Sequence, residues 1–382
     1  MTSADRVKEY IDYVFTQLPL VSSRYALDAL IGQYTGMEPE VRTALTQAFE
    51  THAATLGYNY ADQASNLYRV QASLHEEREE WGEAVACILR VPINSNRRTI
   101  GEEERLSHYT HLMRLYLEDE NVSQARVYLN KASSLLTSEI PTSLALSFTL
   151  YKARILDLTG KYLDAAFRYR DLSYETSLDP EDRYQSLSRA VLCAILAPAG
   201  QQRVKILSTL YRDERASSLS YYEALTCVFQ DQILRPVHTN LLVAALFPHH
   251  LAQGKDGRSP LDHAVLEHNL LALSRMYCTI SFSSLGRWLG VEAVEAERLA
   301  SRMIREGRVN ARIHQVDGMM RIPSDGSLHP TPSTKEARLS QMCTETEAAV
   351  RRIGQLNPSW LASVSDEAPL GNDEVERGMA FI

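Results

Sequence analysis

Hydrophobic spacing is most informative between residues 262 and 322. Leu266, Leu270, Leu273 and Tyr277 recur at i, i+4, i+7 and i+11, the stripe of an amphipathic helix. Cys278-Thr279-Ile280 then reads as a short strand. Ser283 to Leu289 is a short helix that Gly290 stops, and a second helix from about Glu292 to Glu306 would bury Ala296, Leu299, Ala300 and Met303 before Gly307 ends it. Val309, Ala311 and Ile313 alternate with Asn310, Arg312 and His314, the period of a half-buried strand. Asp317-Gly318 supplies a tight turn, and Met320 and Ile322 return on the apolar face. Helix, strand, helix-turn-helix and hairpin, in that order, predict a winged helix.

Upstream the chain repeats itself with a period of about forty. Ala84, Ala125 and Ala165 fall 41 and 40 residues apart, each in an amphipathic stretch after a short polar turn. Ten residues before each stands Leu74, Leu115 or Ile155, and three before each stands Trp81, Val122 or Tyr162. The turns are Glu76 to Glu80, Glu118 to Asn121 and Asp157 to Lys161. Each unit is expected to be a helical hairpin, the small alanine letting its second helix approach the first. Units that cannot each close a core stack, so a mainly α fold is expected: a right-handed α-solenoid running into the winged helix. Coincidental periodicity in a helix-rich chain is the alternative.

After a Pro-rich linker, Ile322 to Pro332, Ser333-x-x-Glu336 has the form of a capping box. Leu339, Met342, Thr346, Ala349, Ile353 and Leu356 follow at alternating steps of three and four, a narrow stripe suited to a helical bundle. Such a helix can seek partner helices or fold back on its own domain. Past Asn357-Pro358, Asp366, Glu367, Asp373, Glu374 and Glu376 lie among Gly and Pro, and disorder is expected there. The expected divisions are an N-terminal helical arm (1–60), helical-hairpin repeats (61–215), a domain holding the winged helix (216–326), a bundle helix (333–357) and an acidic tail (358–382).

Charge bears on what the winged helix contacts. The residues at the start of its recognition helix would pass close to phosphates, yet they are Glu292, Glu295 and Glu297, with Arg298, Arg302 and Arg305 only later. Forty bases against 48 acids give a net charge of -8, so no global basic field recruits nucleic acid or anionic membrane. A protein-contacting winged helix is therefore favoured over a nucleic-acid reader working through Arg308, Arg312 and Arg321. No apolar run approaches a membrane span, and Met1 to Arg6 lacks a signal-peptide core. Cys87, Cys193, Cys227, Cys278 and Cys343 are scattered, odd in number and without a C-x-x-C pair, as expected of reduced, mostly packed thiols of an intracellular protein.

Catalytic motifs are missing. There is no H-E-x-x-H or H-x-H, no phosphate-binding glycine loop and no nucleophile elbow. His249-His250, His263 and His268 are the densest histidines, but adjacent histidines seldom share a metal, and His268 beside Glu267 reads as a hydrogen-bonded structural group. His108 and His111 are one helical turn apart behind Glu102, Glu103 and Glu104, and read as a solvated face. No catalytic residue, metal or cofactor is expected.

A helical solenoid leading into a winged helix resembles the PCI-domain family. Several strings are similar to the branch that forms subunit four of the COP signalosome: Ala153-Arg154-Ile155-Leu156, Ala165 to Tyr169, Leu172-Ser173-Tyr174, Ala199-Gly200-Gln201-Gln202-Arg203, Tyr211 to Arg215, Ala264 to Leu271 and Ile304 to Arg308. The branch of the fifth non-ATPase subunit of the proteasome lid stands next. The resemblance covers roughly residues 60 to 360. It implies a non-catalytic scaffold of the complex that removes Nedd8 from cullins, in cytoplasm and nucleus. Implied partners are other PCI subunits, the pair containing the catalytic zinc isopeptidase, and cullin-RING ligases. A winged-helix edge at Val309, Ala311, Ile313, Met320 and Ile322 and a bundle stripe at Leu339, Met342, Thr346, Ala349, Ile353 and Leu356 would make the contacts.

Overall fold

The computed structural model describes residues 3–56, 60–91, 101–136, 140–254, 257–323 and 332–356; most of the expected linker and the whole acidic tail lie outside the described residues. The chain folds as two compact units, 1–265 and 266–382.

The first unit is helical. Its elements are α1 (Ser3–Gln17), α2 (Leu20–Gln33), α3 (Pro39–Leu56), α4 (Ala61–Glu77), α5 (Trp81–Leu89), α6 (Glu102–Glu118), α7 (Val122–Ser133), α8 (Thr142–Leu158) and α9 (Tyr162–Tyr174). After them come α10 (Pro180–Leu196), α11 (Gln201–Tyr211), α12 (Tyr222–Phe229), α13 (Pro236–Ala245), the single turn α14 (Pro248–Leu251) and α15 (Pro260–Met276), which runs on into the second unit. α4 packs on α5, α6 on α7 and α8 on α9, as the repeat predicts. Ala84, Ala125 and Ala165 have no exposed surface, as expected of small residues between paired helices.

The turns keep the same register as the alanines. Glu79 (φ 59°), Glu120 (φ 57°) and Gly160 (φ 75°) are left-handed, each five residues before its alanine. The next N–H closes back over the helix end: Glu80 onto His75 O, Asn121 onto Tyr116 O and Lys161 onto Leu156 O, all at 2.9 Å. This is the Schellman closure, which satisfies carbonyls that a helix terminus leaves without a donor. A fourth copy, not visible in the sequence, follows α12, where Asp231 has φ 54° and Gln232 donates to Cys227 O at 2.8 Å.

Among the described residues three large apolar cores follow along the stack. Ile11, Val14, Phe15, Leu27, Ile31 and Phe49 of α1–α3 share one with Ala64 and Leu67 of α4. A second runs from α4 to α8 around Leu112, Met113 and Leu115, and the third from α8 to the start of α15 around Tyr169, Leu187 and Ile195. Buried arginine ties helix ends to this frame. Arg203, 4 % exposed, donates to Ala194 O (3.1 Å) and Ile195 O (2.8 Å) at the end of α10. Arg215 donates to Ser173 O (2.8 Å) at the end of α9 while paired with Asp213.

The second unit continues α15 and adds β1 (Thr279–Ser281), α16 (Phe282–Leu289), α17 (Ala293–Arg305), β2 (Arg312–His314), β3 (Met319–Arg321) and α18 (Pro332–Leu356). The sheet is antiparallel in the order β1-β3-β2, with Ile280 and Ile313 both opposite Met320. α17 buries Ala296, Leu299, Ala300 and Met303, the face predicted for it, and Gly290 (φ 71°) ends α16. Three details differ from the sequence expectation. Tyr277 lies past the end of α15 and is 36 % exposed, and β1 begins one residue later than expected. β2 is confined to Arg312–His314 because Arg308 N and Val309 N still donate to Met303 O, so the chain is leaving α17 where a ladder was expected.

A left-handed residue other than glycine is strained by about 1 kcal/mol. Glu120→Gly should therefore raise stability by about 0.5–1 kcal/mol, and Gly160→Ala should lower it by a similar amount, because only backbone conformation opposes a methyl there. Urea unfolding midpoints of the two variants check both signs.

Candidate docking surfaces and a buried histidine cluster

The expected winged-helix edge is placed differently by the fold. β3 is the middle strand, so Met320, with no exposed surface, is flanked by Ile280 and Ile313 and presents no edge. Ile322 N already donates to Cys278 O at 2.8 Å. Val309 and Ala311 are buried ahead of β2, and Ile313 is half-buried. The outer strands are β1 and β2, so a partner strand would meet the backbone of Thr279–Ser281 or Arg312–His314.

One charge cluster of the winged helix is turned inward. Glu267 of α15, mostly buried, is held by Arg302 at 3.2 Å and by Arg308, which also pairs with Glu306. Burial disfavours the Arg308 charge, but Glu267 and Glu306 outweigh burial and raise its pKa. Of the three arginines that a nucleic-acid reader would use, Arg308 is thus committed internally; Arg312 and Arg321 stay exposed, opposite each other on β2 and β3.

α18 has the opposite character. Met342 (64 % exposed), Ile353 and Leu356 (72 % exposed) all face solvent, as do Thr346 and Ala349. The Leu339 side chain lies outside the described residues. In the arm, Tyr13 and Val21 are exposed and Tyr25 is 74 % exposed.

The histidines divide. His111 meets Glu76 at 2.6 Å, and Arg114 reaches the same carboxylate. His108 is not on the solvated face assigned to it: it is only 9 % exposed, because α6 has neighbours on two sides in the stack. Burial first, then the charges of Arg69 and His111, lower its pKa to about 4. His268 is buried with an interaction partner. His249 and His250 meet Asp157, the last turn of α8, across 93 residues of chain from His250. His250 Nε2 is 2.8 Å from Oδ1 and His249 Nε2 is 3.5 Å from Oδ2. The buried Cys193 thiol donates to Oδ1 at 3.4 Å. Burial raises the Asp157 pKa, but the two imidazoles outweigh it and hold the carboxyl well below the usual range. No sequence motif pointed to Asp157, although it directly follows one of the strings quoted above.

Comparison with known proteins adds family membership. The family described as PSMD12/CSN4, N-terminal, matches residues 60–181, and the PCI domain matches residues 228–324. COP9 signalosome complex subunit 4 of Dictyostelium discoideum is 35% identical over 81% of this chain and 78% of its own. The Arabidopsis thaliana protein of the same name is 33% identical over 84% of this chain and 83% of its own. The chain belongs to the COP9 signalosome subunit 4 family. The Drosophila melanogaster relative of that name, 29% identical, extends the similarity to 94% of the chain. Arg203, Arg215, Glu267 and Arg308, all inside the strings that carried the resemblance, are residues that tie helix ends or buried charges together.

His108 makes the fold acid-sensitive. An unfolded histidine takes up its proton near pH 6.5, while folded His108 resists until about pH 4, so stability present above pH 6.5 is lost as pH falls through that window. Between pH 6.5 and pH 5 the native chain should lose about 1–2 kcal/mol that His108→Gln does not lose. Urea midpoints at the two pH values measure the difference.

Proposed function

We propose that this chain is a non-catalytic scaffold subunit of a COP9 signalosome, supporting assembly and the sensing of cullin-RING ligases while another subunit removes Nedd8. Family membership supports the first part. The observation that carries the docking role is α18, a 25-residue helix with Met342, Ile353 and Leu356 in solvent. An exposed apolar stripe at this spacing gains about 25 cal/mol per Å² when neighbouring helices cover it. Sister PCI subunits and the subunit pair holding the zinc isopeptidase are the partners this reading requires, and the outer strands β1 and β2 offer them backbone groups. Sensing falls to the arm, through the exposed Tyr13 and Tyr25.

A proteasome-lid subunit is the weaker reading, since the relatives cited are named for the signalosome. A nucleic-acid reader is weaker still, with acids at the start of α17 and Arg308 engaged by Glu267.

Ile353→Ala with Leu356→Ala should release the chain from the co-purified complex while its circular dichroism and unfolding midpoint stay unchanged; normal incorporation would refute docking through α18. Removing residues 1–60 would strip the partners of Ala64 and Leu67, so the arm is better tested on its surface. Tyr13→Ser with Tyr25→Ser should leave assembly intact and weaken binding of the assembled complex to a cullin-RING ligase several-fold by titration. Undiminished binding would refute sensing through these two tyrosines.

A further inference from the structure

We infer that Asp157, His249 and His250 form a binding site for one zinc-like divalent ion. Among the described residues this is the one group of three His, Cys, Asp or Glu side chains whose ligand atoms all lie within 4.8 Å of one another. An ion with nitrogen and oxygen donors about 2.0–2.1 Å away, arranged tetrahedrally, holds them roughly 3.3 Å apart. The Asp157 oxygens stand 2.8 Å and 3.5 Å from the two Nε2 atoms, so two donor separations already bracket that value.

The polar atoms are otherwise poorly served. Asp157 and His250 are almost completely buried, at 4 % and 1 % exposed. His249 Nε2 is buried, directed at the carboxylate but without a well-formed hydrogen bond, and His250 Nδ1 has no partner either. A buried nitrogen in that state costs about 1–3 kcal/mol, and an ion would use the His249 Nε2 lone pair directly. Consecutive histidines reach one point here because α14 is a single helical turn and not a strand, and their rings lie 3.8 Å apart. The neighbouring Cys193 thiol fixes Oδ1 by its hydrogen bond, a supporting contact of the kind that orients metal ligands.

Two imidazoles and one carboxylate beside a thiol suit zinc and exclude Mg²⁺ or Ca²⁺, which take oxygen shells. His249 is 28 % exposed in its side chain and marks the side from which the ion and a water would enter. Bound there, the ion would clasp α14 to the end of α8 in a part of the solenoid that the docking surfaces do not use. The site does not depend on the scaffold reading.

The full chain, stripped with EDTA and dialysed against micromolar ZnCl₂, should retain one zinc per polypeptide by mass spectrometry and show a higher melting temperature that EDTA reverses. His249→Ala, which removes no well-formed hydrogen bond, should fold with an unchanged circular dichroism spectrum and bind zinc at least roughly tenfold more weakly. Co²⁺ in place of zinc should give visible bands that this variant lacks. No zinc retained by the native chain, or equal retention by His249→Ala, would overturn the site; so would an Asp157→Asn protein that folds and keeps its zinc.

Discussion

A stack of short helices must end a helix every turn of the chain, and each end leaves carbonyls that need donors away from bulk water. The solenoid depends on how those carbonyls are met. After α4, α6, α8 and α12 one left-handed residue turns the chain so that the following N–H folds back over the helix end. That closure sets the angle at which the next helix leaves. Ala84, Ala125 and Ala165, each five residues on, are then fully buried. Where no such turn is made, at the ends of α9 and α10, Arg215 and Arg203 reach the carbonyls instead.

The same requirement explains why certain strings are recognisable. Gly200-Gln201-Gln202-Arg203 places a guanidinium, with its planar array of donors, under the end of α10. Tyr211 to Arg215 does so for α9, and Ile304 to Arg308 supplies the arginine that closes on Glu267. In each case a guanidinium is held at a fixed distance from the carbonyl or carboxylate it pairs with, so neither its length nor its charge can drift without leaving a polar group unpaired. Docking surfaces carry no such burden before a partner arrives, and α18 is correspondingly plain in sequence.

Legibility followed the range of the interaction. The hairpins, the buried face of α17 and the Gly290 stop rest on residues within a few positions of one another, and spacing alone revealed them. The placement of β3 between β1 and β2 joins residues forty apart, and an apparently simple hairpin hid the third strand's central position. Asp157 and His250 meet across 93 residues of chain, so no local pattern could announce them. His108 misled for a related reason: three upstream glutamates suggest a wet face, whereas the packing of neighbouring helices around α6 decides its burial. The turn at Asp231 is not visible in the sequence because the eight-residue α12 before it is less than half as long as α4, α6 and α8, the 17-residue helices before the other three turns.

One consequence follows from the order of the small sheet. Its two outermost rows of backbone belong to strands separated in sequence by α16 and α17, and each faces away from the other. Lengthening the sheet at β1 would leave β2 as it was, and the converse holds equally. Among the described residues each flank thus keeps its own unladdered row of amides and carbonyls, and the two rows are independent of each other.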